Sequence, residues 1–461
     1  MPVPVVAIFD IGKTNKKLFL FNESYQIVFE KSAHFNETVD DDGDPCEDLR
    51  SLQSFIHDGL STVLASRDFK VRAINCSTYG ASLVYIDETG RTIGPLYNYL
   101  KPYPAKLQKQ FYDTYGGKKL FSFQTASPVL GSLNSGMQLY RLKYEKPEFF
   151  DRIKYALHLP QYLSYLLSGK AFSEITSIGC HTNLWHFQNM EYHYWVKREG
   201  LLEKFPALAP SDMVVEPSSS SRSHAIGIGL HDSSSALIPY LVTFPDPFVL
   251  LSTGTWAISL NPFNQNPLTK DELECDCLCY LQYRGTPVKA SRLFAGHNHD
   301  LEVERIASHF NQDKDRYFKL EFDKAILSKI DTTFDREQWD TKSILSRLRF
   351  TSRSLPDFPS DTEAYYQLIF DLVVQQFAST QLVVKGTSVK RIFVDGGFSN
   401  NSIYMNLVAA FFPEMEVFAS SIPQATAIGA ALAIHDAWNA QEFPHQIIEL
   451  KHYPARVPPL P

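Results

Sequence analysis

The sequence predicts a duplicated α/β fold in two domains, and three observations carry that expectation. The chain has 461 residues, beyond the size at which one hydrophobic core keeps growing, so two cores are expected. Val5 to Phe21 reads VVAIFDIGKTNKKLFLF, two apolar runs around a polar turn, which is the pattern of a β-hairpin. Phe248 to Leu260, FVLLSTGTWAISL, repeats that pattern near mid-chain, and two such hairpins half a chain apart suggest a repeated architecture.

The elements follow in order. After the first hairpin, Leu49 to Ser66 reads as a helix and Val71 to Cys76 as a strand, leading into a loop, a strand at Leu83 to Ile86 and a turn at Asp87 to Gly90. Met137 to Tyr144 and Leu159 to Leu167 are helical, the second closed by Ser168 and Gly169. Glu216 to His224, EPSSSSRSH, is a low-complexity polar break, which divides the chain into domains 1–223 and 224–461. Ala225 to Asp232 then runs as a short strand into a helix, SSSALIPYL. A long amphipathic helix spans about Thr362 to Lys385. Beyond it come a strand at Arg391 to Val394, the loop DGGFSNN, a helix at Ser402 to Phe411, a strand at Glu416 to Ala419 and a small-residue helix, ATAIGAALAIHDAW. Gly429 in that helix permits close backbone approach, and the tail PARVPPLP reads as an extended surface strap.

Composition excludes several function classes. A net charge of −7 without a basic stripe argues against a nucleic-acid partner. No apolar run approaches the ~18 residues of a membrane span, and the start MPVPVVAIFD has neither a basic n-region nor a cleavage site, so a cytoplasmic protein with no membrane partner is expected. Six cysteines are too sparse for a disulfide framework. Three of them form CDCLC, Cys275 to Cys279, where alternate spacing puts the thiols on one face of a buried hairpin strand rather than in the paired knuckles of a zinc site.

The turn of the first hairpin has the chemistry of a phosphate cradle. Gly12 lets backbone N–H groups approach an anion, Thr14 and Lys17 add a hydroxyl and a positive charge, and Asn15 shares the turn. Thr253, Gly254 and Thr255 repeat the small polar turn at mid-chain. Asp10, at a strand end, is placed to hold Mg²⁺ through water beside a nucleotide's phosphates, the alternative being a carboxylate that caps its own turn. Val394 to Asn401, VDGGFSNN, puts Gly396 and Gly397 at a strand end, where a loop can lie flat against a purine while Asn400 or Asn401 meets its polar edges; a plain Asn-capped turn is the alternative. Asp232, near a helix N-terminus, is the candidate catalytic base or simply an N-cap, and His231 beside it contacts substrate or packs. AGHNHD, Ala295 to Asp300, reads as a turn before the helix LEVERIASHF, with His297 and His299 in nucleotide-contacting or capping roles rather than on a metal. Tyr97, Tyr99 and Tyr103 read as packing aromatics.

Taken in order, these residues resemble the FGGY family of carbohydrate kinases, within the superfamily of actin and hexokinase. The resemblance covers nearly the whole chain: DIGKTNKK as first phosphate loop, GLHDSSSA as the catalytic-Asp segment, LLSTGTW as second phosphate loop, DGGFSNN as adenosine loop and TAIGAALA as closing helix. It implies two ribonuclease-H-like domains with ATP and sugar meeting in the cleft between them, the general base at Asp232, and Mg²⁺ held near Asp10 and Asp232. Within the family the chain is most similar to the rhamnulokinase and fuculokinase branch, through HDSSSA, PQYLSYLLSGK followed by SEITSIG, and SLNSGMQLYRLK. There Asn134 falls on the sugar side, and Tyr79, Ser82 and His231 are the other implied sugar contacts. Departures lie mostly on the same side. Ser82 stands where relatives carry an acidic residue, and Asn98, Tyr99, Leu100 and Lys101 stand where many have an Arg–Asp pair. Lys13 replaces a small residue in the first loop, and Gln424 stands where some members have Glu.

The implied activity is ATP-dependent phosphorylation of a terminal ketose hydroxyl, with L-rhamnulose or L-fuculose as the leading acceptor and a pentulose or other polyol as the alternative. A nucleotide-binding regulator without catalysis is the reading of a different class, and the presence of both Asp10 and Asp232 speaks against it. The expected partners are the sugar and ATP, with a homodimer among the expected assemblies.

Overall fold

The computed structural model describes residues 1–217, 224–335, 338–422, 424–444 and 447–455. By compactness the chain forms two units, Met1–Thr243 with Cys279–Pro287 and Gln424–Ile447, and Phe244–Leu278 with Val288–Pro423 and Ile448–Pro461. The division into 1–223 and 224–461 stays a proposal about domain organisation, and residues 218–223 of the polar break lie outside the described residues.

Each unit is built on a mixed sheet of the same pattern. In the first, strand Val3–Ile11 pairs antiparallel with Lys16–Asn22 and parallel with Phe69–Thr78; Ile27–Ala33 extends one side and Ala225–Gly227 the other. In the second, Phe248–Thr253 pairs antiparallel with Ala257–Asn261 and parallel with Arg391–Gly396. Pro287–Leu293 extends that hairpin and Glu416–Ser421 the parallel side. The two hairpins read from sequence are therefore the same element of a repeated sheet.

Burial explains why both central strands are continuous apolar runs. Val5 to Phe9 are all 0% exposed, because a parallel-paired central strand is covered on both faces. Helix Leu49–Ala65 covers one face with Leu52, Phe55, Ile56 and Val63, and begins where Asp48 accepts hydrogen bonds from Arg50 N at 2.9 Å and Ser51 Oγ at 2.6 Å. In the second unit the buried helix Asp361–Val384 forms the spine of the core, capped by Ser360 Oγ. No helix among the described residues is long and apolar enough to cross a membrane.

One close approach positions the site. Helices Asp232–Thr243 and Ala425–Ala433 pack together, and a Cβ built on Gly429 would stand 1.9 Å from Ser235 O. Pro239 lies inside the first helix and lacks the N–H that would bond that carbonyl. The freed oxygen faces the bare Cα of Gly429, where only glycine fits.

Several sequence expectations need correction. CDCLC is not one strand: Cys275 ends the short helix Lys270–Glu274, whose Thr269/Glu272 capping box the sequence reading passed over, and Asp276 sits at φ 61°, so the strand begins at Cys277. All six cysteines are nonetheless buried. AGHNHD is not a turn, because the helix starts at Ala295 and both histidines lie in its first turns. The closing helix stops at Ala433 and gives way to a 3₁₀ turn at His435–Ala437. Most of the expected C-terminal strap, 456–461, lies outside the described residues.

Candidate functional site

In the first unit the carboxyl ends of three neighbouring strands bring the predicted acidic pair together. Asp10 pairs with Ser77 and Ile11 with Thr78, while Leu230 and His231 pair with the same two residues from the other side. Asp232 follows immediately as the first residue of its helix. Carboxyl ends of parallel strands are where open α/β sheets hold ligands.

Asp10 is opposite Lys17 in the hairpin ladder, so the two share a face. Its Oδ2 accepts a hydrogen bond from Thr426 Oγ1 at 2.7 Å. Burial, with the negative charge of Asp232 adding to it, raises the Asp10 carboxyl to about 6 despite Thr426 and Lys17. Two carboxylates held this way form a hard-oxygen site whose repulsion a divalent cation relieves, so Asp10 and Asp232 fit Mg²⁺. Asp232 is one-third exposed, and its Oδ1 accepts from Ser233 N at 2.5 Å and Ser233 Oγ at 3.2 Å.

His231 is buried, with Nε2 at 3.3 Å from Asp232 Oδ1, and burial lowers its pKa. Its backbone N–H donates to Thr176 Oγ1 at 3.0 Å, and the Thr176 hydroxyl donates to Glu174 Oε2 at 2.7 Å. Glu174 is fully buried and also accepts from Thr176 N, Ser177 N and Ser211 Oγ, which fixes the strand that delivers Asp232.

The hairpin tip differs from the simple cradle. The N–H of Gly12 donates to Asn15 O at 2.9 Å and that of Gly254 to Trp256 O at 2.9 Å, so these two amides close their own turns. Thr14 and Asn15 are exposed at the first tip, and Gly254, Thr255 and Trp256 at the second. Lys17 pairs with Glu30 at 3.0 Å. Sequence reasoning missed Glu47, which accepts from Lys16 Nζ at 2.8 Å and Tyr79 Oη at 2.8 Å and ties the hairpin to the implied sugar side. No local pattern marks it, since its partners lie 31 and 32 residues away.

Of the other implied sugar contacts, Ser82 is 2% exposed beside Tyr79, and Asn134 is fully buried. Asn134 Oδ1 accepts from Leu130 N at 2.7 Å, and its Nδ2 donates to His181 O at 2.8 Å and Ser127 Oγ at 3.1 Å, so its side chain orders the loops around it. Lys101 is caged by Asp40, Asp42 and Asp44. Tyr97 donates to Asp41, Tyr99 packs on Tyr79, and Tyr103 donates to Met137 O.

The second unit holds a pocket of about 240 Å³ lined by Gly254, Thr255, Gly296, His299, Asp300, Phe318, Gly397, Phe398, Asn400 and Asn401. Two glycine contacts shape it. A Cβ on Gly296 would stand 2.0 Å from Gly254 O, and one on Gly396, at φ 87°, 1.8 Å from Thr253 O. Thr253 is buried, donating to Asp395 O at 2.6 Å and accepting from Phe398 N at 3.0 Å, so it holds the two loops together. Asn401 caps the following helix through Tyr404 N and donates to Tyr365 Oη at 2.8 Å, whereas Asn400 is exposed on the pocket wall. His299 stands edge-on to Phe398 at 5.2 Å, and burial lowers its pKa. His297 stacks on Phe294.

Residues 5–237 match the model of the N-terminal domain of the FGGY family of carbohydrate kinases. The chain is similar to the rhamnulokinase of Mannheimia succiniciproducens, 26% identical over 38% of this chain and 37% of that protein. It is also 26% identical to the rhamnulokinase of Bacteroides thetaiotaomicron, over 54% of this chain and 53% of that one. The chain thus spans about half or less of the length of the curated relatives it matches. Its fold is that of a carbohydrate kinase from Novosphingobium aromaticivorans (TM-score 0.79, 22% identity, 99% of this chain and 95% of that one). It is also similar in fold to a ligand-bound xylulose kinase from Lactobacillus acidophilus (TM-score 0.76, 15% identity, 98% and 93%). These structures belong to the two-domain actin/hexokinase-like class, the fold expected from the sequence.

Proposed function

Because this chain belongs to the FGGY family of carbohydrate kinases, near its rhamnulokinase branch, we propose that it transfers the γ-phosphate of ATP to a terminal hydroxyl of a ketose. The observation that carries this reading is the Asp10–Asp232 pair: two carboxylates at neighbouring strand ends, one half-buried and hydrogen-bonded to Thr426, one a third exposed at a helix start.

Asp232 accepts the proton of the attacking sugar hydroxyl, with Ser233 N–H and Oγ–H orienting the carboxylate. His231, kept neutral by burial, bounds the same carboxylate from the strand side. Lys17 and the tip residues Thr14 and Asn15 bind phosphate oxygens, with Gly12 giving the tip its tight turn; in the second hairpin Thr255 offers the exposed hydroxyl, Gly254 closes the turn and Thr253 ties it to the adenosine loop. The pocket under Gly396 and Gly397 takes the adenosine, with Phe318 and Phe398 as apolar walls and Asn400 as the polar edge. Mg²⁺, held by Asp10 and Asp232, supplies positive charge to the transferring phosphates when bound.

A deoxyketohexose such as L-rhamnulose or L-fuculose is the leading acceptor, supported by the relatives named rhamnulokinase. A pentulose is the second reading, favoured by Ser82, which stands where relatives carry an acidic residue; a site missing one hydrogen-bond partner selects a different hydroxyl pattern. Tyr79, Ser82 and His231 contact the sugar, and Asn134 shapes the loop beneath them. The partners are the sugar and ATP, in a cytoplasmic enzyme. Asp232→Asn tests the assignment: ATP binding persists while sugar phosphorylation falls by orders of magnitude, and near-normal turnover would sink it.

A further inference from the structure

Beside the proposed base lies a second donor set, unlike the oxygen pair. One ligand atom each of Cys180, His181 and His231 lies within 4.8 Å of the others. Cys180 and His231 are 1% and 3% exposed, and His181 is half-buried. The Cys180 thiol donates to Ser177 O at 3.2 Å. His181 Nδ1 lies 3.2 Å from Leu133 O, and His231 Nε2 lies 3.3 Å from Asp232 Oδ1. With its Nε2 held by Asp232, His231 keeps a buried Nδ1 that has no hydrogen-bond partner, as a metal-binding imidazole with one anchored nitrogen does. Gly80 borders the same space, where a Cβ would stand 2.7 Å from His231 Nε2 and 3.6 Å from Cys180 Sγ.

We propose that Cys180, His181 and His231 bind a soft divalent cation such as Zn²⁺, and that its binding blocks phosphoryl transfer. One thiolate and two imidazoles are a donor set for Zn²⁺ and not for Mg²⁺, which takes oxygen ligands. Tetrahedral Zn²⁺ sets such atoms about 3.5 Å apart, so side-chain rotations of about an ångström complete the site and leave one position open. The bound form has lost the Cys180 proton: the S–H bond breaks, its electron pair forms the sulfur–metal bond and the proton leaves to solvent, with no change of oxidation state. His231 then turns its lone pair to the cation beside Asp232. The acceptor sugar competes with that ion, and Mg²⁺–ATP does not. Binding stands on the donor set alone, and the inhibitory consequence rests on the kinase reading.

Co²⁺ titration of the reduced full-length chain tests the binding without any substrate. The expected result is a sulfur-to-cobalt absorption band that saturates at one equivalent, is displaced by Zn²⁺, and is lost in Cys180→Ser. In His181→Gln, at a half-buried position, the same band weakens with affinity lowered tenfold or more. A folded wild type without the band, a band that survives Cys180→Ser, or unchanged affinity in His181→Gln overturns the site. In a turnover assay Zn²⁺ raises the apparent KM for the sugar in the wild type, tenfold less so in His181→Gln. Stoichiometric cobalt binding without Zn²⁺ inhibition overturns the inhibitory role, whereas cobalt binding in a chain that phosphorylates no ketose leaves the site standing and removes the kinase reading.

Discussion

Gly429→Ala tests the helix contact that positions the proposed base, Asp232. The added Cβ would stand 1.9 Å from Ser235 O, where ordinary contact begins at 3.4 Å, so the helices must part locally by about 1.5 Å. The obstacle is backbone, which cannot rotate away, so the cost lies at the upper end of the roughly 1–3 kcal/mol typical of overpacking. Alanine returns about 1 kcal/mol of helix propensity. The expected net loss is about 2 kcal/mol, read as a lower urea midpoint at unchanged slope. The same shift moves the helix that begins with Asp232 and the one that carries Thr426, the partner of Asp10. A misplacement of about 1 Å costs roughly 100-fold in rate, so turnover falls far more than stability alone explains. An unchanged or raised midpoint with turnover within twofold of wild type would refute the reasoning, because helix propensity would then outweigh a clash that does not exist.

Two further perturbations separate the proposed cation pair from the proposed nucleotide pocket. Asp10 titrates near 6 in the folded chain, above its ordinary 3.8, so the fold favours its protonated form. Its stabilising contribution is full below about pH 4 and is lost as pH rises through about 6. Asp10→Asn therefore removes that part of the decline, and adding Mg²⁺ at pH 8 raises the melting temperature of wild type but not of Asp10→Asn; identical pH profiles would contradict the assignment. Gly397 has nothing within 4 Å of an added Cβ and lines the second-unit pocket. Gly397→Val keeps the melting temperature and raises the ATP dissociation constant tenfold or more by calorimetry, and unchanged ATP binding would remove the pocket from the nucleotide site.

What the sequence made legible was local. Helix Leu159–Ser168 ends at Gly169 with φ 71°, as its Ser–Gly close announced. Helix Asp361–Val384 falls within one residue of its expected bounds. The hairpins were readable because apolar runs flank short polar turns, and Asp232 because a strand runs directly into its helix. The remainder depends on contacts far apart in the chain. Glu47 meets Lys16 and Tyr79, and Thr426 meets Asp10 across 416 residues, which no local spacing encodes. The fate of the Gly12 and Gly254 amides was equally hidden, since both are turned back on their own hairpins. CDCLC was misread because alternation suggested a strand, while Asp276 takes a left-handed backbone that alternation does not reveal.

Asp232 is the proposed base for transfer from ATP to a ketose. The most direct measurement of that role is ADP release, coupled to detection of the sugar phosphate, across deoxyketohexoses, pentuloses and polyols for wild type and Asp232→Asn. The expected result is ketose-dependent ADP release matched one to one by phosphorylated sugar in wild type and nearly abolished in Asp232→Asn while ATP still binds. ADP release indifferent to every acceptor, or equal in both proteins, would contradict it.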